Sequence, residues 1–325
     1  MVKNKILLSV LIPTFNRDKY LEKALTTFFE QITDDIKENI EIIVSDNHSI
    51  DNTEEVLKKF DKEAKLDGLK FKFSKNEENI GPDGNFLKLI KKSNGKFCWI
   101  FGDDEFLLKN GLLKILEILD ENSELGLLHI GNQNLKNKKE VFPKDETQKF
   151  IKNVNYMISF ITANIFNKEC IDWEINYENC KGSNLIQENF YFQSILKSKE
   201  NIYLNDEIFT TERADNVGSY KLFETFGKNQ NQIFDLFIKN GLEKSTVDFI
   251  NKKMLREFFP MYILNLDKKS KWENENVYEE MKLTFSQYLE FWIFCVPLIK
   301  FPKLIKKPYF LAIRILNKLI KIIGR

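Results

Sequence analysis

The first 130 residues of the chain alternate apolar runs with amphipathic segments, and this alternation constrains the fold more than any other feature. Five runs have the length and the β-branched or aromatic character of strands. They are Ile6 to Ile12, IEIIVSD (40–46), LKFKF (69–73), KFCWIF (96–101) and LGLLHI (125–130). The first run is short and no small-residue cleavage site follows it, which favours a buried strand over a signal peptide.

Helical segments separate these runs. The spacing of apolar residues predicts a helix from Tyr20 to Gln31, and Asp51 or Asn52 can cap the start of a second helix. Further helices are predicted at about 83–92 and 110–120. Alternation of strands and helices predicts an α/β fold with a single, mostly parallel, Rossmann-like sheet and right-handed crossovers.

The pattern changes near residue 220. Residues 1–220 are predicted to form one α/β domain, with a first half of 1–130 and a second half of 131–220. From about Lys221 onward the sequence is rich in phenylalanine and has helical spacing without clear strand signals. We therefore expect residues 221–325 to form a helical C-terminal region with a basic amphipathic tail.

Charge and composition exclude several classes of function. The 49 Lys and Arg residues nearly balance the 48 Asp and Glu residues, and the net charge of +1 gives no overall field to attract nucleic acid. Four scattered cysteines without a C-x-x-C pair favour reduced thiols over a disulfide framework or a zinc ribbon. The chain has only two histidines, so metal or proton chemistry must depend mainly on carboxylates.

Three polar loops follow predicted strands, and one of them crowds three acids together. Asp103, Asp104 and Glu105 come directly after the run that ends at Phe101. Loops at the carboxyl ends of parallel strands converge on one edge of the sheet, where such folds bind ligands. Adjacent carboxylates repel one another unless a cation lies among them, which favours a site for Mg²⁺ or Mn²⁺. The alternative is an acidic turn that interacts with the dipole of the next helix.

Four segments, in their order and spacing, resemble the family 2 glycosyltransferases, which have the nucleotide-diphospho-sugar transferase A-type fold. They are SVLIPTFNR (9–17), EIIVSDNHSIDNT (41–53), NIGPDGN (79–85) and WIFGDDEFL (99–107). The resemblance is strong over about residues 6–130 and fades towards residue 220. It implies an enzyme that uses a nucleotide-activated sugar, most often a UDP-sugar, together with a divalent cation.

The resemblance assigns the loop after the first strand to the nucleobase. Pro13, Thr14 and Asn16 flank Phe15, whose ring occupies the place where relatives stack an aromatic side chain on the base. Stacking of this kind is typically worth about 1 to 3 kcal/mol. The alternative for Phe15 is ordinary packing in the core.

Two further positions of the resemblance depart from the family pattern. The loop that usually contains D-D-G-S has Asp46 in the first place and Asn47 in the second, where an amide can both donate to and accept from a pyrimidine. In NIGPDGN, Asn85 stands where relatives carry an arginine that reaches the pyrophosphate. Lys88, one helical turn later, can supply the missing positive charge.

In the acidic loop, the resemblance implies that Asp104 coordinates the metal directly and that Asp103 contacts the metal or the ribose. Gly102 stands where many relatives carry a further aspartate. One carboxylate together with phosphate oxygens and water molecules can still complete an octahedral site.

Glycosyl transfer with inversion also requires a base that accepts the proton of the acceptor hydroxyl. Relatives place it in a Glu-Asp pair after the metal motif, and Glu188, followed by Asn189, is the best counterpart. Asp215, in TERADNVGSY, is the second candidate. The alternative for Glu188 is an exposed charge on an amphipathic helix.

The end of the chain combines cations with apolar residues. Residues 291–325 contain eight Lys and Arg residues and no acidic residue. The apolar run from Phe291 to Ile299 is too short to span a bilayer, whereas a basic amphipathic segment suits the surface of an anionic leaflet. Pro302 and Pro308 are expected to divide this segment. The alternative is a helix packed on its own domain or on a partner subunit.

These observations predict a cytoplasmic glycosyltransferase attached peripherally to the inner leaflet of the inner membrane. Its acceptor is a glycan or a lipid-linked saccharide, as in the biosynthesis of bacterial surface glycans. The alternative is a noncatalytic protein that binds carbohydrate or nucleotide on the same fold, which Asn85 and Asn189 favour. The sequence argues against a sugar nucleotidyltransferase, because the loop after the first strand lacks the glycine-rich phosphate-binding sequence.

Overall fold

The computed structural model of the chain describes residues 6–132, 138–174, 180–212, 220–266 and 276–323. The chain divides into two compact units, Met1–Asn216 and Val217–Arg325.

The first unit is built on a sheet of eight strands, with a separate pair of short strands beside it. The ten strands are β1 (Leu8–Thr14), β2 (Ile40–Asp46), β3 (Phe71–Lys75), β4 (Phe97–Ile100), β5 (Glu105–Leu107), β6 (Leu125–Ile130), β7 (Lys138–Pro143), β8 (Asn164–Asn167), β9 (Glu200–Asn205) and β10 (Phe209–Thr211). The large sheet has the order β3-β2-β1-β4-β8-β6-β9-β7, and β5 pairs with β10.

Most strands of the large sheet share one direction. Strands β3, β2, β1 and β4 are parallel neighbours, and β6 is parallel to β9. Strand β8 runs antiparallel to both β4 and β6, and β7 runs antiparallel to β9. The predicted α/β fold with a mostly parallel Rossmann-like sheet is confirmed.

Strands β1 and β2 lie inside the sheet, and each contains a buried run of apolar residues, Val10–Ile12 in β1 and Ile42–Val44 in β2. Their register pairs Leu8 with Ile40 at one end and Thr14 with Asp46 at the other. Burial of both faces is the usual reason for such continuous apolar runs in parallel sheets. The register places the polar ends of the two strands side by side at the carboxyl edge.

In the described residues of the first unit, six α-helices connect or cover these strands. They are α1 (Asp18–Phe29), α2 (Thr53–Asp67), α3 (Gly81–Lys92), α4 (Gly111–Glu121), α5 (Thr147–Val154) and α6 (Ile186–Lys197). Helix α1 begins and ends two residues earlier than the predicted Tyr20–Gln31. Of the apolar stripe that the sequence predicts, Leu21, Ala24, Leu25 and Phe28 are buried, whereas Tyr20 is half-buried. Such a stripe at helical spacing faces the core.

An aromatic cluster supports the end of β4, where the acidic loop begins. The ring of Phe28 packs edge-on against Phe101 at a centroid distance of 4.8 Å, and Trp99 packs edge-on against Phe101 at 5.0 Å. The indole Nε1–H of Trp99 donates to the carbonyl oxygen of Thr162 at 2.8 Å. The residues that lead into the acidic loop are therefore fixed by packing and by a buried hydrogen bond.

Helix α3 is tied to helix α6 by one carboxylate. Asp83, in the first turn of α3, is buried and accepts the backbone N–H groups of Asn184 at 3.0 Å and Ile186 at 3.2 Å. These N–H groups lie at the start of α6, where backbone donors have no partner within the helix. Burial raises the pKa of Asp83, and the backbone N–H groups act in the opposite direction.

The described residues of the second unit are helical. The helices are α7 (Gln230–Ile238), α8 (Lys244–Lys253), α9 (Phe259–Asn265), α10 (Val277–Phe285), α11 (Val296–Lys300) and α12 (Lys303–Ile323). Across the described part of the chain, no helix combines the length and the apolar character that crossing a bilayer requires.

The prediction that two prolines divide the tail is wrong for one of them. Pro302 precedes α12 and its carbonyl oxygen accepts the N–H of Ile305, so it marks a helix boundary. Pro308 lies inside α12, which continues without a break. A proline inside a helix costs about 3 kcal/mol, and we infer that helical residues on both sides outweigh this cost.

Candidate active site

The acidic loop lies between β4 and β5 at the carboxyl edge of the sheet, and backbone hydrogen bonds hold it from two sides. The N–H of Gly102 donates to Oγ1 of Thr162 at 2.9 Å. The N–H of Glu212 donates to the carbonyl oxygen of Asp104 at 3.0 Å. Strand β10, immediately before Glu212, pairs with β5. The loop belongs to the first half of the unit and is therefore anchored to two separate segments of the second half.

Arg17 brings the loop after β1 against the acidic loop. Its Nη1 atom lies 2.7 Å from Oδ1 of Asp103 and 3.4 Å from Oδ2 of Asp104. The side chain of Asp103 is 4% exposed, whereas that of Asp104 is 23% exposed. Burial raises the pKa of Asp103 to about 6, although the neighbouring guanidinium lowers it. One arginine thus balances charge on two adjacent carboxylates.

Glu105 points away from solvent. It is 2% exposed, and burial together with the nearby charge of Asp104 raises its pKa to about 8. Its Oε1 atom accepts a hydrogen bond from the hydroxyl of Thr211 at 3.4 Å. Glu105 therefore links the acidic loop to β10 through this hydrogen bond.

The position of Gly102 explains why the third acid of the family pattern is absent. A Cβ atom at Gly102 would lie 2.9 Å from Oε2 of Glu105 and 3.2 Å from Oδ1 of Asp104. A side chain at this position would displace one of the two carboxylates.

The loops that follow β1 and β2 are joined by hydrogen bonds around Asn16. Its N–H donates to Oγ of Ser49 at 2.8 Å, and its Oδ1 atom accepts the N–H of Ile50 at 2.8 Å. Asn16 has a positive φ of 53°, a conformation that asparagine tolerates better than most residues. The two predicted nucleotide loops therefore form one connected surface.

Asp46 has an unusual environment at the end of β2. It is fully buried, and its Oδ1 atom accepts the N–H of Ser49 at 2.9 Å. Its Oδ2 atom is also buried, and no described residue donates a hydrogen bond to it. A buried acceptor without a donor is costly and requires an explanation. A ligand N–H is one group that would satisfy it.

Phe15 is exposed at the same edge. It follows Thr14, which is buried at the end of β1, and its side chain is 40% exposed. Pro13 is the penultimate residue of β1 and pairs in register with Ser45. The exposure of Phe15 excludes the alternative of packing in the core.

Asn47 and Asn85 lie in a buried network of amides. Nδ2 of Asn47 donates to Oδ1 of Asn79 at 2.7 Å, and Oδ1 of Asn47 accepts from Asn76 at 2.9 Å and from the N–H of Ile80 at 3.0 Å. Nδ2 of Asn85 donates to the carbonyl oxygen of Ser45 at 3.0 Å. These amides hold the NIGPDGN segment against the end of β2.

Lys88 joins the same network by donating to Oδ1 of Asn76. Its pKa is lowered by partial burial and by the charge of Lys92. The predicted positive charge therefore stands next to the asparagines at the start of α3.

Of the two candidate bases, Glu188 and Asp215, the structure describes only Glu188. Glu188 lies in the first turn of α6 and is completely buried, so the alternative of an exposed surface charge is wrong. One turn later the hydroxyl of Tyr191 donates to the carbonyl oxygen of Ile161 at 3.3 Å, next to the residue that binds Gly102. Asp215 lies outside the described residues.

The sequence analysis did not predict that Arg17 contacts the acidic loop, although one feature of the sequence pointed to this residue. Arg17 is the only arginine among residues 1–212, in a chain that otherwise uses lysine as its cation there. Arginine is preferred where a planar group must bind carboxylates or phosphates. No feature of the sequence pointed to Thr162 or Glu212, because each contacts the acidic loop from a segment that is far away in the sequence.

The described residues contain no group of three or more His, Cys, Asp and Glu side chains arranged to hold a metal ion. Asp103 and Asp104 together fit a different arrangement, in which a ligand completes the coordination. Mg²⁺ is commonly bound through one or two carboxylates and substrate phosphates. The partial exposure of Asp104 fits this arrangement.

Comparison with protein families matches residues 9–171 to a family model described as glycosyl transferase family 2. This segment is half of the chain and contains all four motifs named above.

Two curated relatives resemble part of the chain. Abequosyltransferase RfbV of Salmonella typhimurium is 37% identical over 122 residues, which are 38% of this chain and 35% of the relative. A GalNAc(5)-diNAcBac-PP-undecaprenol beta-1,3-glucosyltransferase of Campylobacter jejuni is 36% identical over 114 residues, or 35% of each chain. The chain therefore matches about a third of the length of these relatives.

Among solved structures, S. aureus TarS 1–349 in complex with UDP-GlcNAc is similar with a TM-score of 0.59. The similarity covers 81% of this chain and 76% of that chain, at 19% sequence identity. At this level of identity the comparison concerns the fold.

Proposed function

This chain belongs to glycosyl transferase family 2, and we propose that it transfers a sugar from a nucleotide-diphospho-sugar to a hydroxyl group of a saccharide acceptor. Within the catalytic domain of residues 1–220, we assign binding of the nucleotide sugar to residues 1–130 and recognition of the acceptor to residues 131–220. We assign membrane attachment to residues 221–325. One observation carries the proposal. Asp103 and Asp104 meet Arg17 at the carboxyl edge of a parallel sheet. The same edge holds the buried Asp46, whose Oδ2 atom has no hydrogen-bond donor among the described residues.

The donor site that we propose lies on the loops after β1 and β2. Phe15 stacks on the base, Asp46 accepts a hydrogen bond from an N–H group of the base, and Pro13, Thr14 and Asn16 shape the pocket. A uracil has such an N–H group, and the TarS fragment with this fold was solved with UDP-GlcNAc. We therefore propose a UDP-sugar donor. Asn47 and Asn85 act by holding the loops in place, since their amides are engaged within the protein.

The proposed cofactor is Mn²⁺ or Mg²⁺, held by Asp104 with support from Asp103. When bound, the ion neutralises negative charge on the leaving diphosphate. Asp104 is the more exposed of the two carboxylates, and Arg17 keeps Asp103 ionised against the effect of burial. Arg17 contacts both carboxylates and thereby offsets the repulsion between them before the ion binds.

We propose transfer with inversion. The acceptor hydroxyl attacks the anomeric carbon, its proton passes to a carboxylate, and the bond to the nucleoside diphosphate breaks. Glu188 is the first candidate for this base and Asp215 the second. A base must come within hydrogen-bond reach of the proton that it accepts. Because Glu188 is buried, its role requires that the residues covering it move when the acceptor binds.

The proposed acceptor is a glycan or a lipid-linked saccharide, at the cytoplasmic face of a bacterial inner membrane. The name of the Campylobacter relative contains an undecaprenol-linked saccharide, which supports an acceptor of this kind. Attachment through the basic tail would bring the active site close to such a substrate.

A panel of nucleotide sugars tests the proposal. Each sugar is added with and without Mn²⁺, and the midpoint of thermal unfolding is measured, because a ligand that binds the native state raises it. Donors that bind are then incubated with undecaprenyl-linked saccharides, and products are identified by mass spectrometry. We expect a metal-dependent shift with a uridine nucleotide and transfer to an acceptor. Nucleotide binding without transfer to any acceptor would favour the noncatalytic alternative.

A further inference from the structure

Helix α12 packs on its own unit through one side. The hydroxyl of Tyr309 donates to the carbonyl oxygen of Ile293 at 2.7 Å, and Ile313, four residues later, is 4% exposed. Residues four apart lie on the same face of a helix. This face of α12 is therefore already occupied within the second unit.

A second side of α12 exposes aliphatic side chains along its whole length. Leu304 is 90% exposed, Leu311 59%, Ile315 61% and Ile322 70%. At 100° per residue these four side chains project within about 40° of one another. Three more exposed aliphatic residues widen this surface, which we call the aliphatic face: Ile305, Leu316 and Leu319.

The edge beside the aliphatic face is cationic. Four exposed positions on α12 fall within about 60° of one another on the helix: Lys303, Lys307, Arg314 and Lys318. We call them the cationic edge. Residues 291–325 contain no acidic side chain, so no acid in this stretch of sequence offsets these charges.

We propose that α12 lies in the surface of an anionic bilayer, with the aliphatic face among the acyl chains and the cationic edge at the phosphate groups. A helix of 21 residues is about 32 Å long, and its charged positions prevent it from crossing the bilayer. A large apolar face flanked by lysine and arginine is typical of helices that lie in the interface plane. This inference deepens the membrane attachment of the proposed function.

A second copy of the chain is the other possible occupant of the aliphatic face. The centre of a protein interface is depleted in charged residues, and lysine is depleted in interfaces generally. Two copies that met through this face would also bring two cationic edges close together. An anionic surface instead offers opposite charge along the whole edge, so charge complementarity favours the bilayer.

Sedimentation with vesicles tests the proposal on the full-length protein. We compare phosphatidylcholine vesicles with vesicles that contain phosphatidylglycerol, each at two salt concentrations. We expect binding to the anionic vesicles that weakens as salt rises, since salt screens surface charges over about 10 Å at 0.1 M. Protein that remains in the supernatant with anionic vesicles at low salt would overturn the proposal.

Two variants separate the aliphatic and charged contributions. Leu311→Ser/Ile315→Ser is expected to lower vesicle partitioning at least about tenfold, because apolar side chains lose their contact with the acyl chains. Lys307→Gln/Arg314→Gln/Lys318→Gln is expected to lower binding to anionic vesicles on the order of 100-fold and to weaken its salt dependence. The matched control is Leu66→Ser/Leu113→Ser, which changes two exposed leucines of the first unit and should leave partitioning unchanged.

Two further measurements distinguish bilayer binding from dimerisation and separate the membrane inference from the proposed transferase activity. Light scattering gives the mass in solution, and a dimer that becomes monomeric in Leu311→Ser/Ile315→Ser without any vesicle binding would assign the face to a second copy. Thermal shift with UDP and Mn²⁺ reports on the nucleotide site. Nucleotide binding without vesicle binding refutes only the membrane inference, whereas vesicle binding without any nucleotide binding refutes only the proposed transferase.

Discussion

The guanidinium of Arg17 lies 2.7 Å from Oδ1 of Asp103 and 3.4 Å from Oδ2 of Asp104. This relationship joins the loop after β1 to the loop after β4 and places a fixed positive charge between two carboxylates that would otherwise repel each other. We infer that Arg17 preserves the shape of the acidic loop before any ligand binds.

The first prediction concerns this ion pair. Arg17→Met should lower the free energy of unfolding by about 3 kcal/mol, because it leaves the buried Asp103 carboxylate without its partner. Arg17→Met/Asp103→Asn should recover part of the loss, and Lys19→Met, at an exposed neighbouring position, should have little effect. Urea unfolding measures all three. An equal loss in the single and double variants would contradict the pairing.

The second prediction concerns the metal. Asp104→Asn should abolish the metal-dependent part of UDP binding while the midpoint of thermal unfolding changes little, because the side chain is partly exposed. Asp120→Asn, at an exposed position of α4, is the control. Calorimetric titration with UDP, in Mn²⁺ or in chelator, measures the difference. Unchanged metal-dependent binding would remove Asp104 from the proposed site.

The third prediction concerns the base. Glu188→Gln should lower kcat by roughly 10² to 10⁴, the usual contribution of a general base, with little change in donor binding. The substitution keeps the size of the buried side chain, so circular dichroism should report a folded protein. If turnover stays near normal, Asp215→Asn becomes the next variant to measure.

The fourth prediction concerns Phe15. Phe15→Ala should weaken the binding of UDP by about 1 to 3 kcal/mol, the typical contribution of stacking between a base and an aromatic ring. Phe15 and Phe249 are 40% and 39% exposed, so Phe249→Ala removes a similar side chain from the other unit. If both variants bind UDP as the unaltered protein does, Phe15 has no stacking role.

The fifth prediction concerns the dependence of stability on pH. Burial lowers the pKa of His129 to about 4, and its Nδ1–H donates to Oδ1 of Asn164 at 2.8 Å. The unfolded chain therefore takes up a proton on this histidine at a higher pH than the folded protein does. Stability should fall as pH falls from about 6.5 to 4, with a slope of up to about 1.4 kcal/mol per pH unit from this group.

His129→Gln tests this origin. Urea unfolding at several pH values should give a shallower slope for the variant across this window, even though the substitution lowers stability at neutral pH. Equal slopes for the two proteins would show that His129 is not the source.

The sequence predicted the parallel half of the sheet well, because β1 and β2 each contain a continuous apolar run at their centre. It did not predict β8, which inserts antiparallel between β4 and β6. Asn164 and Asn167 begin and end this four-residue strand, and its pairing depends on contacts far apart in the chain. Local pattern carries little information about such pairing.

Helix α6 shows a second limit of pattern analysis. Ten consecutive residues, Ile186–Ile195, are buried, including polar Gln187, Glu188 and Asn189. Polar residues on a helix usually indicate a solvent-exposed face, which led to the wrong alternative for Glu188. Similarly, the amide network of Asn47 and Asn85 needs the end of β2 to meet the segment 76–85, so residue type alone did not predict it.

The contact between Asp83 and the start of α6 has a consequence for engineering. Asp83 belongs to the NIGPDGN segment, which we propose to be part of the nucleotide site, whereas Asn184 and Ile186 lie in the half to which we assign acceptor recognition. A chimera could join the first half of this chain to the second half of a relative. Such a chimera keeps the Asp83 carboxylate but replaces the segment whose N–H groups bind it. Recombination between family members should therefore succeed more often when the crossover point lies before residue 83, so that both sides of this contact come from one parent.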